Sequence, residues 1–181
     1  LASGYPNPTV NRILSALVRR AFLAVDRRDQ TYELGMRFMQ MAAALRRSHR
    51  LVALVEEELI ALSARTGEAV SLGIPEPLAV RIVGRYQMGL ESSPGGPTGA
   101  KRPYHASAIG KAILSNLEDR RMQKLLDRID FPRYTPNTLV DSPALLPDLT
   151  LVRARGYAFD EEEIVTGVRC VAVPLFAVHG E

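Results

Sequence analysis

The side chains best equipped for chemistry are His105, Ser107 and Cys170, a base and two nucleophiles, and the acidic run Asp160-Glu161-Glu162-Glu163. Catalysis would need them in a constellation, and the spacing supplies none. No acid or base stands where it would complete a triad, and no G-x-S-x-G elbow, G-x-x-x-x-G-K-[ST] loop or G-x-G-x-x-G turn occurs. Gly95-Gly96-Pro97-Thr98-Gly99 imitates a phosphate loop without its lysine-threonine ending and reads as a flexible lid or turn. Cys170, the single cysteine, has no disulfide partner, and with His49, His105 and His179 it offers no metal-ligand spacing. Inside an apolar strand its thiol is expected to be a small, inert core group. Neither an enzyme nor a metal or cofactor site is expected.

Recognition is the other chemistry open to these residues. Ile109, Ala112, Ile113 and Leu117 form a helix stripe, so a helix begins near Ser107. Such a start directs free N–H groups and a positive dipole end at whatever lies before it, which suits a carboxylate. Small residues at Ala106 and Ala108 leave room for a ligand there, and Asp160 could accept from a ligand hydroxyl or hold a donor in place. The plainer alternative is that Asp160 caps a turn and Ala108 merely packs.

A strand must position Asp160. Val168, Cys170, Ala172 and Pro174 alternate with Arg169, Val171, Val173 and Leu175; both sets are largely apolar, so the run reads as a strand covered on both faces. Four acids in a row must be mostly solvated. Gly156 and Gly167 bracket them at positions suited to tight turns, so at least Asp160 could fold back toward the sheet.

With 181 residues, 46% of them hydrophobic and 24% charged, the chain has the composition of one ample globular domain or two modest ones. It contains no apolar run of about eighteen residues and no charged-then-apolar leader, so no membrane association and a cytoplasmic location are expected. Leu1 lies inside what reads as an element, and Gly180-Glu181 reads as a turn leading onward. The sequence is therefore expected to be a fragment lacking both natural ends. The net charge of +3 hides an asymmetry: residues 1–50 hold nine arginines against three acids, and the remainder fourteen basic against seventeen acidic residues. A basic module joined to an acidic one points to a polyanion-binding part and a part with another task.

Asn7-Pro8 opens the first clear helix, with Asn as a favoured N-cap and Pro tolerated in the first turn. Val10, Ile13, Leu14, Leu17, Val18 and Ala21 make one stripe, while Thr9, Asn11, Arg12, Ser15, Arg19 and Arg20 lie mainly off it. Gly4-Tyr5-Pro6 reads as a turn after the tail of an earlier helix, which completes a helix-turn-helix outline. Phe22–Val25 and Thr31–Leu34 read as strands around a polar turn holding Arg27 and Arg28, a wing. Thr9, Asn11 and Arg12 would face base edges, with Arg19, Arg20, Arg27 and Arg28 near phosphates, and Ser15 is counted with them as a DNA-facing residue. Met36 to Arg47 is apolar over more than one stripe and must be covered on several sides, by the wing module, a partner subunit or both. After Ser48-His49-Arg50 comes an amphipathic helix ending at Gly67. Strands over Glu68–Ile74 and Leu78–Met88 follow, then helices at Ile109–Leu117, Met122–Ile129 and Pro147–Arg155.

Three separated motifs carry a resemblance that spans nearly the whole chain: Thr9-Val10-Asn11-Arg12-Ile13-Leu14 with Thr31-Tyr32-Glu33-Leu34-Gly35, then Pro103 to Ala112 (PYHASAIGKA), then Arg153 to Cys170. The chain resembles the isocitrate-lyase-regulator (IclR) family of bacterial transcription factors. The resemblance implies an effector slot between the sheet and the loop-helix segment Leu90 to Ile109, with Leu90, Ala108, Ile109, Asp160 and Cys170 at contact positions. It also implies small organic or aromatic acids as effectors. Two departures mark the match: Pro8 stands where the family often has serine, and the family's last effector contacts fall beyond Glu181.

The expected fold is α+β: a winged helix-turn-helix over 1–34, a linker helix over 35–48, and a GAF/PAS-like effector-binding domain with an antiparallel sheet and flanking helices over 49–181. The expected function is a transcriptional regulator, a repressor, whose affinity for a double-stranded DNA operator changes with a small-molecule effector. A homodimer or dimer of dimers is expected, because one winged module reads too few bases. The alternative is a small-molecule-binding or enzymatic α/β domain with an incidental basic module.

Overall fold

The computed structural model describes residues 6–26, 28–29, 31–48, 50–87 and 96–176. They fall into two compact units, Leu1–Leu54 and Val55–Glu181. The expected turn at Gly4-Tyr5, together with Arg27, His49 and Leu90, lies outside the described residues.

In the first unit, α1 (Asn7–Arg19) starts one position earlier than its cap signal suggests. Pro6 occupies the N-cap, no side chain caps the helix, and Pro8 sits in the first turn, where no N–H is needed. Val10, Leu14, Leu17 and Val18 are half-buried, while Asn11, Arg12, Ser15, Arg19 and Arg20 face solvent. The chain then turns through Ala21 at φ 58° into β1 (Leu23–Asp26) and β2 (Thr31–Leu34), an antiparallel hairpin pairing Leu23 with Leu34 and Asp26 with Thr31. Gly35 closes it by close approach, since a Cβ there would lie 2.2 Å from the Ala21 carbonyl oxygen. Helix α2 (Met36–Ser48) follows. Its composition demands cover, yet Met36, Phe38, Met39 and Met41 are 42–68% exposed in this chain.

The chain continues as α3 (Arg50–Thr66) into a three-stranded antiparallel sheet, order β3-β4-β5, made of β3 (Val70–Pro75), β4 (Val80–Tyr86) and β5 (Lys101–Arg102). Glu76 N–H donates to Ala79 O at 2.8 Å and Glu76 pairs with Arg81 at 2.8 Å, which fixes the β3–β4 turn. Strand β5, two residues long, is too short to leave a period-2 signal. Three helices follow, α4 (Ala108–Ser115), α5 (Asp119–Leu126) and α6 (Ser142–Arg155), then an antiparallel pair of β6 (Ala158–Glu161) and β7 (Arg169–Ala172). Val80, Tyr104, Leu114, Leu126, Leu145 and Leu149 form the main core, with Ala112, Val152 and Ala158 as a second cluster.

Two expectations need correction here. Helix α6 begins at Ser142 rather than Pro147, because Asp141 accepts from Ala144 N–H at 2.8 Å and Pro143 fits the first turn. Pro147, taken as a start, sits inside the helix and forfeits one intrahelical bond. The strand read as covered on both faces spans only Arg169–Ala172, and Val171 and Val173 are 65% and 62% exposed. Its one partner among the described residues is β6, and Arg169, Cys170 and Val171 are all exposed. The architecture is thus mixed α and β with small antiparallel sheets.

Candidate functional site

Ser107 sets the start of α4. Its hydroxyl accepts from Gly110 N–H at 3.0 Å and donates to Pro103 O at 2.5 Å, so it is consumed as an N-cap. Ala108, almost wholly buried, and half-buried Ile109 are the first helical residues, and the Ile109 side chain reaches over Gly73 of β3. Next to it, His105 is fully buried between Phe131 and Tyr134 and bonds Pro132 O through Nε2 at 3.1 Å, which makes Nε2 the donor. Its Nδ1 has no partner among the described residues, and burial lowers the imidazole's pKa. A buried, neutral histidine beside a spent serine is scaffolding rather than a base and its nucleophile.

Asp160 lies in β6 directly opposite Cys170 in β7. It is 3% exposed, and its Oδ1 accepts from Glu163 N–H at 2.7 Å. Burial raises its carboxyl above the ordinary range, against the pull of the Glu163 and Ile164 N–H groups, Lys111 and Arg102. The turn cap is therefore real, whatever else Asp160 does. Cys170 departs from the expectation of a core thiol: it is an exposed residue. Partial desolvation first, and the Asp160 charge second, still push its thiol up, while Arg102 and Arg85 pull the other way.

Sequence reasoning missed what holds the acidic turn. Lys111, 2% exposed, sends Nζ to within 2.6 Å of Glu163 Oε1 and 2.8 Å of Asp148 Oδ2, the latter without hydrogen-bond alignment. Glu163 is 4% exposed, and burial raises its carboxyl even though Lys111 opposes the shift. Thr135 Oγ donates to Glu162 O at 2.7 Å, Thr138 Oγ to Glu163 O at 2.6 Å and Asn137 Nδ2 to Glu161 O at 3.0 Å. Arg153 caps the end of α4 through Ser115 O and Leu117 O, and Arg155 lies over the Tyr157 and Phe159 rings at 5.1 and 5.0 Å. Periodicity concealed Lys111, because the stripe Ile109, Ala112, Ile113 and Leu117 leaves it on the other side of the helix, whereas the fold buries it with Ala108, Ala112 and Ser115.

The raised carboxyls carry a pH prediction. A carboxyl with a higher pKa in the folded state holds more protons there than in the unfolded chain. Its stability contribution therefore grows as pH falls through the raised value toward the ordinary range. His105, lowered by burial, runs the opposite way and loses stability below the ordinary histidine value. Asp160→Asn, which mimics the neutral carboxyl, should unfold at higher denaturant than wild type at mildly alkaline pH, and the advantage should shrink steadily on acidification. An advantage independent of pH would contradict the assignment.

Two surface clefts open elsewhere, one lined by Ser115–Asp119 and Arg153, the other by residues including Leu78, Lys101, Arg128 and Tyr134. Neither includes Ala108, Asp160 or Cys170. Among the described residues, no group of three or more His, Cys, Asp and Glu side chains is arranged for a metal ion, and no helix is long and apolar enough to cross a membrane. On α1 and the hairpin, Asn11, Arg12, Ser15, Arg19, Arg20 and Arg28 are all exposed, and Thr9 is half-buried.

A buried ionic clamp between α4 and an acidic turn, beside small antiparallel sheets, defines an α+β unit of known kind. Residues 43–181 match the family model described as Bacterial transcriptional regulator IclR C-terminal. The chain belongs to the IclR family. It is 35% identical over 173 residues to the HTH-type transcriptional regulator BhcR of Paracoccus denitrificans, covering 96% of this chain and 62% of that protein. It is 32% identical over 181 residues to the transcriptional repressor IclR of Escherichia coli, covering 99% and 66%. The chain thus spans somewhat under two thirds of these curated relatives. An IclR homolog from Microbacterium hydrocarbonoxydans, solved in complex with 4-hydroxybenzoate, superposes with a TM-score of 0.84 at 23% identity, over 98% of this chain and 73% of that one. That likeness bears on the fold.

Proposed function

We propose that the chain is the larger part of a cytoplasmic, DNA-binding transcriptional regulator, a repressor tuned by a small organic or aromatic acid. The family membership carries this reading, and the exposed basic face of α1 and its hairpin supports it. In it, residues 1–34 belong to a winged helix-turn-helix, 35–48 to a linker helix and 49–181 to a GAF-like effector domain. Thr9, Asn11 and Arg12 read base edges, Arg19, Arg20, Arg27 and Arg28 hold phosphates, and Ser15 lies in the same DNA-facing set. The exposed apolar face of α2 is covered by a second copy in a homodimer or dimer of dimers. Ala108, Ile109, Asp160, Cys170 and Leu90 line the effector slot, where the open start of α4 takes the acid's carboxylate.

Duplex binding as a function of salt tests the first part, because neutralised phosphates release counterions and affinity must fall steeply as salt rises. Arg12→Ala should cost about 1–3 kcal/mol on a cognate operator and relax one base preference. Arg28→Ala should weaken binding to all sequences alike and flatten the salt slope. Unchanged operator affinity in both variants would remove α1 and the hairpin from the DNA interface.

A further inference from the structure

We propose that Lys111 is a positioning residue for the effector slot: its buried bridge to Glu163 holds the acidic turn, and with it the Asp160 carboxylate, at a fixed place against the first turn of α4. This rests on reading Ala108 and Asp160 as ligand contacts. The connection runs through two bonds. Lys111 Nζ meets Glu163 Oε1 at 2.6 Å, and Glu163 N–H meets Asp160 Oδ1 at 2.7 Å. Lys111 stands one helical turn after Ala108, on the same face, so the bridge ties the two walls of the slot to each other.

A buried ion pair is a costly way to gain stability, because desolvating two charges offsets most of their attraction and apolar residues of similar volume often do as well or better. What such a pair does supply is a defined geometry. The turn needs one: Glu162 sits at φ 63°, a conformation that is strained for a non-glycine residue and persists only where its surroundings impose it. Glu161 N–H, bonded to Glu163 Oε1 at 3.3 Å, draws the preceding residue into the same hold.

Cys170 reports on the result. It is the only thiol in the chain, it pairs with Asp160 across the ladder, and after desolvation the Asp160 charge is what raises its pKa. The experiment follows the rate of iodoacetamide alkylation against pH in wild type, Lys111→Met, Glu163→Ala and Glu163→Gln, each checked for cooperative thermal unfolding. Calorimetric titration with 4-hydroxybenzoate is run on the same proteins and on Asp160→Asn. Lys111→Met and Glu163→Ala should move the Cys170 midpoint down toward an ordinary thiol, as expected when the Asp160 charge is withdrawn from it. Glu163→Gln, which keeps an acceptor for Lys111, should stay with wild type. Affinity for the acid should fall about tenfold in the two clamp-breaking variants, the worth of one hydrogen bond to a charged group. If Lys111→Met does not fold, Glu163→Ala, which leaves Lys111 its Asp148 partner, carries the comparison. An unmoved Cys170 profile in a folded clamp-breaking variant overturns the proposal. A moved profile with 4-hydroxybenzoate binding that neither these variants nor Asp160→Asn alter leaves the hold on the turn standing and overturns the slot.

Discussion

Gly110→Ala should destabilise the Val55–Glu181 unit by about 2 kcal/mol or more, although the same change in an ordinary helix interior stabilises by about 1 kcal/mol. The added methyl would lie 2.6 Å from Tyr104 Cα and O and 2.7 Å from Pro103 O. All three are backbone atoms and cannot swing aside. Pro103 O is already engaged by the Ser107 hydroxyl, and the Tyr104 hydroxyl is anchored 2.8 Å from Glu76 O across the β3–β4 turn. Either α4 shifts as a body, breaking the Lys111 clamp, or Pro103-Tyr104 shifts and opens the main core. Urea denaturation measures the loss directly; a midpoint equal to or above wild type would show that the approach is looser than these distances indicate.

The second large effect concerns effector response. Asp160→Ala should abolish it while leaving ligand-free operator affinity within a few fold, since the substitution lies in the second unit and none of the DNA-facing residues is touched. Asp160→Ala also deletes the turn cap, so Asp160→Asn, whose Oδ1 can still accept from Glu163 N–H, separates loss of charge from loss of the turn. Ala108→Trp should abolish the response from the opposite wall, because a residue 2% exposed has no room for an indole unless the slot gives it. Operator release measured against effector concentration decides. Normal release by both Asp160→Asn and Ala108→Trp would place the pocket elsewhere, because an effector shifts an equilibrium only by binding its two states unequally.

Local patterns carried most of the element types into the sequence. The stripe from Val10 to Val18, the hairpin around Arg28 and the strands flanking Pro75-Glu76-Pro77 were readable because each is fixed by periodicity or turn chemistry within a few residues. The start of α6 was written there too, in Asp141 and Pro143, but Pro147 offered a competing signal of the same kind. What periodicity could not show was exposure. An apolar alternation from Val168 to Leu175 fits a doubly covered strand and a short strand with an open face equally well, and only the arrangement around β7 distinguishes them. The ion pair of Lys111 with Glu163 joins residues 52 apart in sequence, and no local rule pairs those two rather than any other cation and acid. The sequence offered the acidic run as solvated with its first member folded back; the fold buries the first and the last.

That non-local hold has a kinetic meaning. The carbonyls of Glu161, Glu162 and Glu163 are held by side chains 24 to 28 residues upstream, and Glu163 itself by a lysine 52 residues away. Loop-closure entropy must be met before any of these contacts rewards it, so the acidic turn is expected to take its shape after α4 and the 135–138 segment have docked. The acidic turn is consequently expected to be among the last parts of the unit to order on refolding, and late protection of its amides in pulsed hydrogen exchange would check it. On the proposed reading, an acid bound against that turn would stabilise the folded unit by mass action without speeding its folding.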